Sequence, residues 1–344
     1  MKPKEGTLSA PFPYFGGKSR AAAQVWQSFG EVKNYVEPFA GSLAVLLAAP
    51  EGQRIETVND FDGFVANFWR AIAADPEAVA HHADWPCNEN DLFARHSWLV
   101  RTRQSVTERL HADPQWFDAK VAGWWCWGAC NWIGAGWCSG DGPWVHDGER
   151  IVRKTGEGGE RRQLQHLSEG MGIKRKLPHL SAGRGINRTT EQPRRAFIMQ
   201  WMQALHDRMR DVRVTCGDWQ RVCKDSVTTH HGLTAVFLDP PYTKGKMDYS
   251  AGGMGLGIAD QVREWCAANG DNKLLRIVLC GHAGEHDALL AHGWRTRKWM
   301  ARKGYALTDD AIENNASETL WCSPHCIAEV ASQASIFDQA EASA

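Results

Sequence analysis

Short apolar runs bounded by polar turns mark both ends of this chain, whereas its middle lacks them. The run at 235–238 is apolar throughout and the run at 275–280 is apolar except for Arg276, as in strands that are buried on both faces of a parallel sheet. Residues 62–80 instead repeat apolar side chains at helical spacing, which predicts one amphipathic helix. Alternating strands and helices predict an α/β fold with a mostly parallel sheet. The predicted strands are 55–60, 212–215, 234–239 and 275–280, with a strand, tight turn and helix over 34–48 and strand-like pieces near 294–300 and 318–322.

The middle of the chain breaks this rhythm from about residue 85. Residues 88–120 read as polar helix, and residues 146–195 are polar, basic and punctuated by glycine. We therefore predict that the chain divides into a main domain with an insertion and a tail. The predicted parts are a discontinuous domain at 1–84 and 200–330, an inserted region at 85–199 and a flexible tail at 331–344.

The stretch 234–242 carries the most specific signal. Two prolines end its buried strand after Asp239, because proline offers no N–H to a sheet and holds the preceding residue extended. The carboxyl ends of such strands are where open α/β sheets bind ligands. Asp239 and the Pro240 carbonyl can accept both hydrogens of an exocyclic amine while Tyr242 stacks on the heterocycle, which frees the nitrogen lone pair to attack an electrophile. The alternative is a strand that ends in a Pro-Pro turn with aspartate as a turn residue.

Residues 14–18 form a glycine-hinged loop with an aromatic ring at one end and a cation at the other. A phosphate-binding loop is rejected, because Phe12 replaces its first glycine and no strand precedes it. The face of Tyr14 would attract a cationic group such as a sulfonium. Lys18 would meet a carboxylate. A plain N-terminal turn remains the alternative for this stretch.

The strand, turn and helix at 34–48 suit a ligand that approaches the backbone. Ala40 and Gly41 are small, and the N-terminus of the helix that follows is electropositive. Asp60 ends the next strand, where an acid fits a ribose diol. The dinucleotide fingerprint Gly-x-Gly-x-x-Gly is absent, so a nucleoside without a pyrophosphate fits better.

A second candidate ligand contact lies in the turn at 216–219. Asp218 follows a predicted strand and would hold a ligand amine, with Trp219 packed against a purine. A simple helix cap is the alternative for Asp218.

Charge is balanced over the whole chain and uneven within it. The net charge is −1 for 344 residues, so affinity for a polyanion must come from a local patch. Basic residues outnumber acidic ones about two to one within 146–195, a composition suited to phosphates and base edges. A solvated, partly disordered insertion is the alternative. The predicted DNA-binding residues are Arg153, Lys154, Lys174, Arg175, Lys176, Arg184 and Arg188.

Tryptophan is unusually frequent, with 17 residues, and several lie in the glycine-rich stretch 123–138. Interleaved aromatics and glycines can stack on bases, but they more often form a compact aromatic core. The ten cysteines lack the paired spacings of zinc knuckles, which predicts buried, reduced thiols in a cytosol and no metal site. The start has no signal-peptide core, and no apolar run is long enough to span a bilayer.

Four motifs, in this order, resemble the Dam-like (D12 class) DNA adenine-N6 methyltransferases, particularly their phage and prophage members. They are Tyr-Phe-Gly-Gly-Lys at 14–18, Val-Glu-Pro-Phe-Ala-Gly-Ser at 36–42, Asn-Asp at 59–60 and Asp-Pro-Pro-Tyr at 239–242. The resemblance implies a doubly wound, mostly parallel sheet of the Rossmann-like methyltransferase fold, with one reversed hairpin strand. It also implies an inserted target-recognition region, S-adenosyl-L-methionine as cofactor, and a place in the cytoplasm of a bacterium or of a phage-infected host.

The resemblance also implies roles for individual residues. Asp239, Pro240 and Tyr242 match the catalytic set of the family. Leu43 departs from the pattern, because the family usually has glycine there and a larger side chain could narrow the cofactor turn. The expected cofactor contacts are Tyr14, Lys18, Phe39, Ala40, Gly41, Asp60 and Asp239, joined by Asp218 from the turn described above.

The resulting hypothesis is methyl transfer to the exocyclic N6 of adenine in a specific double-stranded DNA sequence. The base must be flipped out, because N6 is not free for in-line attack inside a stacked duplex. Tyr242 would stack on the base while Asp239 and the Pro240 carbonyl orient its amine. Basic residues of the insertion would track phosphates and read major-groove edges. No obligate protein partner is indicated.

Other functions of the same scaffold remain open at this point. An N4-cytosine DNA methyltransferase uses the same amine chemistry, although Ser-Pro-Pro-Tyr is commoner there. Methylation of RNA or of a protein amide needs the same fold, and asparagine in place of Asp239 would favour the protein amide. A catalytically inactive DNA-binding homologue is the alternative without enzymatic activity.

Overall fold

The computed structural model describes most of the main domain and part of the insertion. The described residues are 8–14, 16–132, 137–138, 144–146, 151–153, 185–187, 193–241, 257–298 and 318–328. The helices are α1 Ala22–Phe29, α2 Ala44–Leu47, α3 Gly63–Ala74, α4 Pro76–Ala83, α5 Glu89–Ala112, α6 Ala119–Asn131, α7 Arg194–Met209 and α8 Ile258–Asn269. The strands are β1 Asn34–Glu37, β2 Ile55–Asp60, β3 Trp144–His146, β4 Ile151–Arg153, β5 Arg213–Cys216, β6 Thr234–Leu238, β7 Leu275–His282, β8 Arg295–Lys298 and β9 Glu318–Cys322.

Seven of these strands form one sheet in the order β5-β2-β1-β6-β7-β9-β8. Neighbours from β5 to β7 are parallel, whereas β9 runs antiparallel to both β7 and β8. Strands β3 and β4 form a separate antiparallel pair. The prediction of a mostly parallel, Rossmann-like sheet with one reversed strand is therefore confirmed.

Side chains of the central strands alternate between two apolar cores, one on each face of the sheet. Along β6, Ala235 and Phe237 belong to the first core, which contains α1, α3 and α7. Val236 and Leu238 belong to the second core, which contains α8. A strand with helices on both faces has no solvent-facing side, so 235–238 is apolar throughout. The sheet is doubly wound, as predicted.

The single helix predicted over 62–80 is wrong, because two helices occupy this stretch. Helix α3 ends at Ala74 and α4 begins at Pro76. Proline cannot continue a helix but suits the first position of a new one. The carboxylate of Asp75 accepts a hydrogen bond from the N–H of Ala78 at 3.0 Å, which caps α4.

Helices α5 and α6, which the sequence pattern assigns to the insertion, pack directly on α3 and α4. Gly123 of α6 makes one of these contacts, since a Cβ there would lie 2.5 Å from the Cβ of His82 and 2.8 Å from the carbonyl oxygen of Val79. Only a residue without a side chain allows this approach. The proposed division of the chain at residue 85 stays a prediction.

Two tryptophans of the glycine-rich stretch form part of the first core. Trp125 packs edge-on against Phe12, with ring centroids 4.7 Å apart. Trp127 is fully buried and its indole N–H donates to the carbonyl of Trp85 at 2.7 Å. The guanidinium of Arg95 lies 4.2 Å from the ring centroid of Trp127. For these two residues the structure supports an aromatic core and not a surface for stacking bases.

The cysteines and helices bear on two further expectations. All cysteines except Cys87 are buried free thiols. In the part of the chain that the structure describes, three or more metal-ligating side chains nowhere come together. Each helix in that part is too short or too polar to cross a membrane.

Candidate active site

Four carboxyl groups lie along the edge of the sheet where the parallel strands end. Glu37 ends β1, Asp60 ends β2, and Asp239 directly follows β6. Glu318 reaches the same edge from the opposite direction, because β9 is antiparallel and pairs Glu318 with His282 at the end of β7. This edge is where open α/β sheets bind their ligands.

Lys18 and Asp239 form the central ion pair of this edge. The ammonium nitrogen of Lys18 lies 2.9 Å from Oδ2 of Asp239 and 3.8 Å from Oε2 of Glu318. It also donates to the carbonyl of Gly16 at 2.6 Å. Burial lowers the pKa of Lys18, but the Asp239 carboxylate and the other acidic groups nearby raise it more, so it stands above its ordinary value. The carboxylate that Lys18 meets therefore belongs to the chain itself.

Asp60 is held by backbone N–H groups on both of its carboxylate oxygens. Oδ2 accepts from Gly41 and Oδ1 accepts from Asp62, each at 2.8 Å. Burial raises the pKa of Asp60 to about 7, although these hydrogen bonds favour the charged form. The side chain is thus fixed in direction, and its charge depends on what else binds there.

The turn between β1 and α2 needs glycine at position 41. Gly41 has φ +46°, in the left-handed region, and a Cβ there would lie 2.5 Å from the ring of Tyr14. The Gly41 carbonyl accepts a hydrogen bond from the indole of Trp69 at 2.9 Å. The ring of Tyr14 therefore packs directly against this turn.

Leu43 shows how the departure from the family's usual glycine is accommodated. Its φ is +51° and ψ is +31°, a left-handed conformation at the N-cap of α2. Its side chain is 0% exposed and belongs to the first core. The departure therefore appears as backbone strain, and the side chain packs away from solvent.

Asn59 of β2 ties together the two turns that follow β1 and β5. Its side-chain amide donates to the carbonyls of Pro38 at 3.1 Å and Gly217 at 2.9 Å. Its oxygen accepts from the hydroxyl of Thr215 at 2.9 Å. The Asn-Asp motif thus positions the turns on either side of Asp60.

An aromatic pair lies beside this assembly. The rings of Phe39 and Trp219 stack with centroids 6.0 Å apart. Trp219 is buried, and among the described residues its indole N–H has no hydrogen-bond partner. Asp218 is exposed and caps the short helix that follows by accepting from the N–H of Gln220 at 2.8 Å, and its predicted contact with a ligand stays a prediction. The cap bond occupies one oxygen and leaves the carboxylate at the surface.

Sequence reasoning missed Glu37 and Glu318. Burial raises the pKa of Glu37 to about 8, and the hydroxyl of Tyr35 donates to its Oε2 at 2.8 Å. Burial also raises the pKa of Glu318. A signal existed for each, since Glu37 ends a predicted strand and Glu318 begins one that reaches the same edge if it is reversed.

Several predicted site residues lie outside the part of the chain that the structure describes. Tyr242 of the catalytic set is one of them. Arg153 ends β4, but only its backbone is described. The remaining basic residues outside the described ranges are Lys154, Lys174, Arg175, Lys176, Arg184 and Arg188.

Comparison with known protein families bears on what this edge does. Residues 14–108 match the family model of the D12 class N6 adenine-specific DNA methyltransferases. The matched stretch begins at Tyr14, contains Gly41 and Asp60, and includes most of α5. No curated protein matches the chain. The family match indicates an adenine-specific DNA methyltransferase.

Proposed function

Taking that enzyme class as the premise, we propose that this protein transfers a methyl group from S-adenosyl-L-methionine to adenine N6 in a specific double-stranded DNA sequence. The observation that carries the proposal is the position of Asp239. Its carboxylate follows a strand buried on both faces and pairs with a lysine that is 3% exposed. A rigid acceptor at a ligand-binding edge is what orienting an amine requires.

The residues at the ends of β1, β2 and β5 fit a nucleoside cofactor. Ribose hydroxyls would donate to Asp60 and favour its charged form, which burial disfavours in the free protein. Phe39 and Trp219 offer aromatic surface for a purine, and the indole N–H of Trp219 is a donor that has no acceptor among the residues that the structure describes. Phe61, next to Asp60, is 45% exposed and offers a further apolar face.

In this proposal the cofactor supplies an electrophilic methyl group, and the chain supplies binding and orientation. Asp60 holds the ribose, and Asp218 accepts from the purine amine. Tyr14 closes over the Gly41 turn beside the sulfonium. The ion pair with Lys18 holds the Asp239 side chain in place.

The target base receives the same kind of orientation. Asp239 and the Pro240 carbonyl accept the two N6 hydrogens, which turns the nitrogen lone pair toward the methyl donor. The attacking amine loses one hydrogen as a proton, and Asp239 is the acceptor already bonded to it. The base must leave the duplex to reach this corner, and Tyr242 would stack on it there.

DNA contact is assigned to the basic segment 146–195 on charge alone. Its arginines and lysines would bind phosphates and confer salt-dependent affinity. The phage or prophage type and the cytoplasm of a bacterium or infected host belong to this proposal as well.

The test is methylation of DNA with labelled S-adenosyl-L-methionine by the wild type and Asp239→Ala, followed by nucleoside analysis. We expect N6-methyladenine from the wild type and loss of activity by at least about a hundredfold in the variant. Asp211→Ala is a matched control, because the Asp211 side chain is 93% exposed. Undiminished methylation by Asp239→Ala would refute the mechanism.

Two other outcomes would favour the rival functions. N4-methylcytosine as the product would indicate a cytosine enzyme on the same scaffold. Failure of the wild type to bind the cofactor in calorimetry would indicate an inactive DNA-binding homologue.

A further inference from the structure

Arg103 of α5 connects three parts of the chain that are distant in sequence. Its Nη1 lies 3.3 Å from Oδ1 of Asp62, at the start of α3. Its Nη2 donates to the carbonyl of Cys138 at 2.6 Å. The guanidinium also lies 4.7 Å from the ring centroid of Phe64. One partly buried arginine thus joins the inserted helix α5, the end of the glycine-rich stretch 123–138 and the loop after β2.

Asp62 is the link between Arg103 and Asp60. Its carboxylate caps α3 by accepting from the N–H of Phe64 at 2.9 Å. Its own N–H donates to Oδ1 of Asp60 at 2.8 Å. One of the backbone donors that orient Asp60 therefore belongs to the residue that Arg103 contacts.

The contact between α5 and α3 is too close for this arrangement to shift easily. A Cβ at Gly63 would lie 2.5 Å from the hydroxyl oxygen of Thr107. Thr107 is one helical turn after Arg103 on the same face of α5. Its hydroxyl donates to the Arg103 carbonyl at 3.0 Å. The position of Arg103 relative to Asp62 is therefore fixed by backbone packing.

Charge adds to the geometric link. The pKa of Asp60 is about 7, chiefly because of burial and further because of the Asp62 carboxylate. Arg103 faces Asp62 from α5 and offsets that charge. On the other side, Cys216 of β5 interacts electrostatically with Asp60, and Arg70 and Arg221 act on Cys216. Removal of Arg103 takes away a positive charge that lies 3.3 Å from the Asp62 carboxylate, next to Asp60.

We propose that Arg103 is a positioning residue for the cofactor, acting through Asp62 to fix the Asp60 carboxylate that meets the ribose. The inference rests on the proposed role of Asp60. It extends the cofactor site into α5, which sequence pattern assigned to the target-recognition region.

The experiment measures the affinity for S-adenosyl-L-methionine by calorimetry without DNA, from pH 6 to pH 9. For Arg103→Ala we expect about fivefold weaker binding at pH 7, because a rise of about one unit from the Asp60 pKa of about 7 lowers its ionised fraction by that factor. The pH above which binding becomes tight should also move upward, because an unbalanced Asp62 disfavours ionised Asp60. Arg103→Lys should keep part of the wild-type affinity and part of the wild-type pH profile, since it keeps the positive charge.

Matched controls separate this role from others. Arg101→Ala changes an exposed arginine on the same helix and should leave affinity and pH profile unchanged. DNA affinity of Arg103→Ala, measured without cofactor, should equal that of the wild type, because the guanidinium is 23% exposed and is engaged by Asp62 and the Cys138 carbonyl.

An unchanged pH profile in Arg103→Ala would overturn the inference, including when the variant melts at a lower temperature, because a merely structural role moves stability alone. If Arg103→Ala does not fold, Arg103→Lys and Arg103→Gln give the same comparison with and without charge. Failure of the proposed function would look different, since the wild type itself would not bind. Wild-type affinity in Asp60→Asn would overturn the inference at its premise.

Discussion

The ammonium of Lys18 lies 2.9 Å from the carboxylate of Asp239, and this ion pair joins the N-terminal glycine loop to the central strand β6. The two partners differ in exposure, since Lys18 is 3% and Asp239 22% exposed. Loss of the aspartate would leave a buried cation with Glu318 as its remaining carboxylate among the described contacts, 3.8 Å away.

We therefore predict that Asp239→Ala lowers the free energy of unfolding by on the order of 3 kcal/mol, because it leaves Lys18 charged and poorly paired. The double variant Lys18→Met with Asp239→Ala should lose less than the sum of the two single changes. Urea unfolding of the four proteins measures this coupling. Additive effects would show that the pair contributes nothing to stability.

Gly41→Ala should abolish cofactor binding and reduce stability, because the new Cβ would lie 2.5 Å from the Tyr14 ring and φ is +46°. Adding Tyr14→Ala should recover part of the stability by removing the clash, while cofactor affinity stays low. Gly17→Ala is the control in the neighbouring loop, where a Cβ would make ordinary contacts at 3.5 Å and 3.8 Å. Calorimetry and thermal melting measure both effects. Cofactor affinity and stability equal to those of the wild type in Gly41→Ala would contradict the described turn.

Leu43 gives a prediction in which alanine and glycine reverse their usual order. Both substitutions remove a fully buried side chain from the first core and should destabilise the protein by about 2–5 kcal/mol. Alanine keeps the strain of φ +51°, whereas glycine relieves it. Leu43→Gly should therefore be more stable than Leu43→Ala by about 1 kcal/mol in urea unfolding. The opposite order would mean that the backbone is not left-handed there.

Stability of the free protein should fall as pH rises toward 8. The pKa of Glu37 is about 8 in the folded state because of burial, above its ordinary value of 4.5. The folded state then binds more protons than the unfolded state between these values, so stability is lost as pH rises through them. Glu37→Gln should flatten this slope between pH 6 and pH 9, with Asp60 leaving a residual slope below pH 7. Urea unfolding across this range measures the effect.

Glu31→Gln, which changes an exposed acid just before β1, is the control for that series and should keep the wild-type slope. An equal slope in the wild type and Glu37→Gln would show that Glu37 is charged in the folded protein at neutral pH.

Local signals in the sequence were enough to predict the strand that precedes Asp239 and the acid at the end of β2. Burial on both faces makes β6 apolar, and the prolines end it, so the strand and its end can both be predicted from neighbouring residues. Asp75-Pro76 also indicates the break between α3 and α4, but the helical spacing of apolar residues on either side led to the prediction of one continuous helix.

Contacts between distant segments were not predictable in the same way. Lys18 was expected to bind a ligand carboxylate, and the structure pairs it with Asp239. Arg103 looked like one more charge on a polar helix, because nothing near it in sequence reveals Asp62 or Cys138 as partners. Such pairings depend on how the helices pack on the sheet, and helical periodicity does not encode that.

The reversed strand β9 has a consequence for how the chain folds during its synthesis. Its first residue, Glu318, lies 3.8 Å from the ammonium of Lys18, so two parts of the chain that are far apart in sequence meet beside Asp239. During synthesis on the ribosome the strands from β5 to β7 in the sheet order can pair while the place of β9 stays empty, and β8 lacks its described partner until β9 arrives. Contacts of such high sequence separation form late and slowly. A nascent chain that lacks β9 would bring Lys18 and Asp239 together without Glu318. Of the residues described at the candidate site, Glu318 is the last to be synthesised, so the site is incomplete until β9 joins the sheet.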